Sequence, residues 1–163
     1  MPPRLDPARR ALTLLLAEIL GGPSPRAAFV LNRGDRGLLA SLDQLSAGAA
    51  SARPRRRSSI AAHVDHLRYG FHLLNRWAAG EDPWHDADYA ASWRRQKVDA
   101  REWRARRRAL AEEARTWAAA ARKPRAWDEE AWANAMSSVV HLAYHLGAIR
   151  QMASAARGPR ARD

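Results

Sequence analysis

"SIAAHVDHLRYGFHLLNRWAAG", residues 59–80, decides the fold class. Its apolar residues Ile60, Val64, Leu67, Phe71, Leu74 and Ala78 recur every three or four positions, which is the buried stripe of an amphipathic helix. Ser58 or Ser59 can cap the start, and Gly80 with Pro83 ends it. No segment of the chain alternates polar and apolar residues with period two, so no strand is predicted.

The same periodicity extends outward in both directions. Asp6-Pro7 reads as an N-cap followed by an N1 proline, opening a helix that runs to about Leu20 and stops at Gly21-Gly22-Pro23. Residues 22–34 read as a connection. Asp35 can cap a second helix through "RGLLASLDQLSAG" (36–48), followed by a basic loop, "SARPRRRSS" (51–59). Residues 81–97 read as a loop with a short helix. Asp99 and Glu102 have capping-box spacing and open a long helix with Trp103, Leu110, Ala114, Trp117 and Ala121 on its inner face. Pro124 closes that helix. A last helix is predicted from about Asp128 to Ala156, ahead of Gly158-Pro159. Long helices joined by modest loops imply a four-helix bundle with an extra short helical segment. The expectation is one domain over residues 1–163, with 1–5 and 157–163 as frayed tails.

The 163 residues are enough for a sizeable core, and 47% hydrophobic with 28% charged residues is a globular composition. The chain has no cysteine, which excludes disulfides, thiolate ligands and a cysteine nucleophile and fits a reducing cytoplasm. The apolar run "ALTLLLAEIL" (11–20) is too short to span a bilayer and is interrupted by Glu18; it lacks a cleavage pattern. A soluble, cytoplasmic protein without membrane association is therefore expected. The net charge is +11, and all 28 basic residues except Lys97 and Lys123 are arginine. Their spread, with runs at 53–57 and 104–108, reads as a solvated surface, so nucleic acid is expected to bind weakly and without sequence preference.

Chemistry concentrates in the histidines. His141 and His145 are four residues apart in "HLAYHLGAIRQM" (141–152), so they share a helix face about 5–6 Å apart at Cβ. Two imidazoles so placed can bind one metal at about 2.0–2.1 Å, given a third ligand from elsewhere. The spacing equally fits two ordinary semi-buried histidines. "HVDHL" supplies His63 and His66 as third candidates; on the helical wheel His63 lies nearer the centre of the apolar stripe and His66 at its edge. His72 falls on the opposite side and His85 in the loop. Leu142, Ala143 and Tyr144 stand between the pair, so the chain has no H-E-x-x-H and no glutamate base there.

"HLAYHLGAIRQM" resembles the last-helix motif of the DinB/YfiT-like superfamily of metal-dependent enzymes, and "SIAAHVDHL" (59–67) resembles the histidine segment that family carries on an earlier helix. The order and spacing of "GLLASLDQLSAGAAS" (37–51), "SIAAHVDHL", "NRWAAGED" (75–82) and "HLAYHLGAIRQM" are similar to one branch of it, from about residue 35 onward. The resemblance implies an all-α four-helix bundle of that type, often a homodimer, with one divalent metal at one end. Matched residue by residue, the ligands are His66, His141 and His145, with His63 as the fallback or a residue supporting a ligand.

Three neutral imidazoles leave a metal its full charge and open positions, so such a centre polarises substrates, lowers the pKa of bound water to about 7, or holds a small-molecule thiol as thiolate. Zinc or nickel suits the donors. The resemblance implies a low-molecular-weight-thiol S-transferase or a hydrolase acting on a small molecule; catalytic residues are not identified. Asp65 and Tyr144 project away from the histidines. "DPWHDADYAASW" (82–93) offers Trp84, His85, Tyr89 and Trp93, either to line the mouth of the site or simply to pack over the bundle end. Two alternatives stand beside the enzyme: a basic helical nucleic-acid-binding protein, and a non-catalytic dimeric bundle with a vestigial metal site.

Overall fold

A computed structural model describes residues 6–53 and 58–160. The expected tail 1–5, the last three residues of the expected tail 157–163 and most of the 53–57 arginine run lie outside these residues. Among them the chain is all helical: α1 (Pro7–Gly21), α2 (Gly37–Asp43), α3 (Ala47–Ser51), α4 (Ile60–Ala78), α5 (Ala100–Arg122) and α6 (Glu129–Met152), with 3₁₀ turns at Ala91–Trp93 and Ser154–Ala156. The caps follow from side-chain chemistry. Asp6, Ser59 and Asp128 accept from the amides of Ala8, Ala62 and Ala131. At α5 Asp99 accepts from the Glu102 amide (2.7 Å) while Glu102 accepts from that of Asp99 (2.9 Å), so two amides that the helix leaves unpaired are satisfied together.

α1 packs on α5 and α6, and α4 packs on the same two helices from the other side. One apolar core joins them. The expected inner-face residues of α5 are its five buried ones, and Ile60, Val64, Leu67, Phe71 and Leu74 of α4 are buried in the same cluster, as are Val139 and Leu146 of α6. Ala78 is only half-buried. Each fully buried Leu, Ile or Val contributes about 1.5–3 kcal/mol. The two core indoles keep their N–H groups paired: Trp117 donates to Ser138 Oγ (3.0 Å) and Trp103 to the Leu45 carbonyl (2.7 Å). At the end remote from the histidines, Arg9 is buried, donates to the carbonyls of Ala121 and Arg125, and lies 4.0 Å from the Trp127 ring centre.

Three boundaries differ from expectation. The helix expected over 36–48 is two. The Leu45 carbonyl turns to Trp103, and Ser46 opens a new helix by accepting from the Ala49 amide (3.1 Å). Arg36 rather than Asp35 occupies the cap position of α2; the Asp35 carboxylate accepts from the Gly37 amide and forms a two-pronged ion pair with Arg150 of α6, both contacts 2.8 Å. Gly37 (φ 75°) lies against Gly22 (φ 97°) so closely that a Cβ at 37 would stand 2.6 Å from the Gly22 nitrogen, which only glycine permits. The last helix ends at Met152 and tightens into a 3₁₀ turn. Residues 157–160, expected to fray, are tied down: Asn32 donates to the Pro159 carbonyl (2.9 Å), and a Cβ at Gly158 would clash with the Asp35 carboxylate.

Candidate metal centre

α4 and α6 pack against each other with their histidines facing. His66 is 8% exposed, His145 is 2% exposed and His141 is half-buried. The Nε2 atoms of His66 and His141 are 3.1 Å apart, and those of His145 and His141 are 2.9 Å apart. One ligand atom from each of the three lies within 4.8 Å of the others, so the three histidines could hold a metal ion. An ion about 2.0–2.1 Å from each nitrogen would space them about 2.9 Å in octahedral and about 3.3 Å in tetrahedral geometry. The two separations from His141, 2.9 and 3.1 Å, lie in this range.

The second ring nitrogens account for this orientation. The Ser92 hydroxyl donates to the Tyr89 carbonyl (2.6 Å), so its oxygen accepts from His66 Nδ1–H at 2.8 Å. That fixes the His66 proton on Nδ1 and leaves Nε2 with a free lone pair. His145 Nδ1 meets His63 Nδ1 at 2.8 Å; when His145 donates this bond, its Nε2 is also bare. A metal-ligating histidine characteristically spends its other nitrogen in this way. Trp93 stacks on His66, ring centres 4.3 Å apart, and meets His63 edge-on at 5.0 Å.

The electrostatics favour neutral rings. Burial lowers the pKa of all four clustered histidines. His66 is pushed down to about 4, by burial first and then by its neighbours His141 and His63. His145 is pushed down to about 3 by burial and by His141, His63 and His66. At neutral pH the cluster is therefore uncharged and offers lone pairs rather than protons.

Of the remaining candidates, His63 touches His145 but directs no nitrogen into the group of three. His72 pairs with Glu113 on α5 (3.1 Å), and His85 is exposed. Asp65 is committed to Arg68 (3.1 Å) and Arg106 (2.9 Å). Tyr144 is 70% exposed, its ring centre 5.1 Å from that of His145. Sequence reasoning missed Ser92: a lone serine in a loop carries no periodic signal, and only the fold carries it to His66. In the run 104–108 the middle arginines are ion-paired, Arg106 with Asp65 and Arg107 with Asp43, while Arg104 and Arg108 face solvent. Among the described residues no helix is long and apolar enough to cross a membrane.

No family model, curated protein or solved structure shows a significant match to this chain.

Proposed function

We propose that this protein is a metal-dependent enzyme of the DinB-like kind: a four-helix bundle, dimeric and cytoplasmic, that uses a divalent ion on His66, His141 and His145 in a low-molecular-weight-thiol S-transfer or a hydrolysis. The observation that carries this reading is the convergence of the Nε2 atoms of three neutral imidazoles from two helices, two of them with a partner on Nδ1. Zinc or nickel suits an all-imidazole set.

When bound, such an ion supplies Lewis acidity that deprotonates a thiol or activates water near neutral pH. The protein's own contribution is to keep the rings neutral, to orient them through Ser92 and His63, and to cover His66 with Trp93. Among the described residues no carboxylate joins the cluster, and Asp65 is held by two arginines. With either a thiol or water, the ion itself would lower the pKa of the group it holds, so neither reading requires a carboxylate base. The deciding measurement is metal content of protein purified without a histidine tag, followed by a thiol-binding screen. One divalent ion per chain, lost in His145→Ala, is expected. Failure to take up zinc or nickel at neutral pH would remove the enzyme reading.

A further inference from the structure

α6 has a second apolar face besides the one in the core. Met136, Val140 and Tyr144 recur every four residues along it and are 46%, 69% and 70% exposed. Opposite them on α4 stand Leu67, Phe71 and Leu74, and between the two helices lies an open groove of about 820 Å³. One end of the groove is formed by His66 and His141 themselves. Its floor is Gly70, a helical glycine at ordinary negative φ that no turn requires, beside which a Cβ would meet only the His141 ring, at 3.8 Å.

In a chain of net charge +11, none of the fourteen described residues lining this groove is Arg, Lys, Asp or Glu. Its serine hydroxyls are already spent: Ser137 donates to the Asn134 carbonyl, and Ser138 donates to that of Ala135 while accepting from Trp117. The walls are therefore mainly apolar: besides the phenol hydroxyls of Tyr89 and Tyr144 and the indole N–H of Trp84, the polar side chains left are the two imidazoles at one end. The volume falls within the range of small-molecule sites, about 300–1,000 Å³, and exposed contiguous apolar surface of this kind marks a binding site.

We infer that this groove binds the apolar body of an uncharged organic molecule, with the molecule's donor end directed at the histidine centre. The inference deepens the proposed function and rests on it for the role of the donor end. An occupant that reaches His66 and His141 must enter between two helices over a glycine floor. That geometry fits a small molecule better than the flat face of a second chain.

The test uses N-phenyl-1-naphthylamine, a neutral apolar dye, titrated by fluorescence into metal-free and zinc-loaded protein, with Gly70→Leu to fill the floor and Val140→Glu to place a charge on an exposed wall. Both variants should keep wild-type helicity and, in metal-free protein, should bind the dye at least ten-fold more weakly; Val140→Glu should also keep wild-type zinc content. On zinc-loaded protein, affinity for straight-chain thiols from ethanethiol to hexanethiol should rise roughly three- to four-fold per methylene, and Gly70→Leu should flatten that rise while sparing ethanethiol. Absent dye binding, binding indifferent to both substitutions, or chain-length-independent thiol affinity on zinc-loaded protein would overturn the inference. So would a wild-type dimer that Val140→Glu dissociates without affecting dye binding, since a second copy would then occupy the groove. If zinc is not taken up but the dye behaves as described, the metal reading falls and the apolar site stands.

Discussion

Acidification of the metal-free protein probes the histidine cluster directly. In the unfolded chain His66 and His145 take up protons near pH 6.5, whereas in the fold they do so only near 4 and 3. A folded pKa lowered in this way means that the unfolded state binds more protons below about pH 6.5, so the stability present above that pH declines as pH falls toward the folded values. Between pH 7 and pH 5 each ring contributes a loss of about 2 kcal/mol by this linkage, or about 4 kcal/mol for the two. Screening by nearby solvent at the bundle edge reduces this by about half, to about 2 kcal/mol. His63 and His141 are shifted in the same direction and add to the effect. Asp35 does not enter this window. Burial opposes its ionisation, but bonds from Arg150 and the Gly37 amide more than offset that and hold its pKa below 3.8, so its stabilisation persists until pH falls through that lower value. Urea unfolding in the presence of a chelator, followed by tryptophan fluorescence and circular dichroism, should show a midpoint about 1 M lower at pH 5 than at pH 7. His66→Gln and His145→Gln should each remove about half of that difference. A midpoint that stays level or rises toward pH 5, or variants that keep the full wild-type difference, would refute neutral burial of these rings.

Removing ligands one at a time should grade zinc affinity in isothermal titration: at least about a hundred-fold loss for His145→Ala with helicity retained, about 10–100-fold for His63→Ala or Ser92→Ala through the Nδ1 partners, and no change for His72→Ala. Arg150→Leu strands the Asp35 carboxylate, 3% exposed at its side chain, and should cost about 3 kcal/mol of unfolding free energy in urea titrations, more than a surface pair yields. Binding to duplex DNA should be insensitive to sequence and should fall steeply with salt in fluorescence anisotropy; tight binding to one sequence at physiological salt would promote the nucleic-acid alternative. Sedimentation at micromolar concentration should show a homodimer, and a monomer would count against that part of the proposed function.

The starts of the four long helices were legible because their signals are local. Asp6-Pro7, Ser59, the Asp99–Glu102 box and Asp128 each act within three or four residues, and the structure uses all four as caps. The inner face of α5 was legible because one helix presents one stripe to one core. The division of α2 from α3 was not, since it depends on Trp103 reaching back to Leu45 across 58 residues. Nor was the docking of 157–160, which depends on the absence of a side chain at Gly158 beside a carboxylate contributed by Asp35.

The pair His63 and His66 shows the same limit at the site itself. The wheel of α4 places His63 nearer the stripe and predicts it as the more buried ring, yet His63 is half-buried and His66 is buried. The wheel counts only the neighbours that the long helices supply. Here the loop carrying Ser92 and Trp93 folds over the edge of α4, stacks an indole on His66 and fixes its tautomer. An edge position covered from outside can direct one nitrogen at α6 while its helix borders the open groove; a position at the stripe's centre would be enclosed by the core on every side. His63 instead turns Nδ1 to His145 and supports a ring that does reach the group of three. Which of the two rings joins the group of three is thus decided by what packs on the helix from the far side, which periodicity along one helix does not encode.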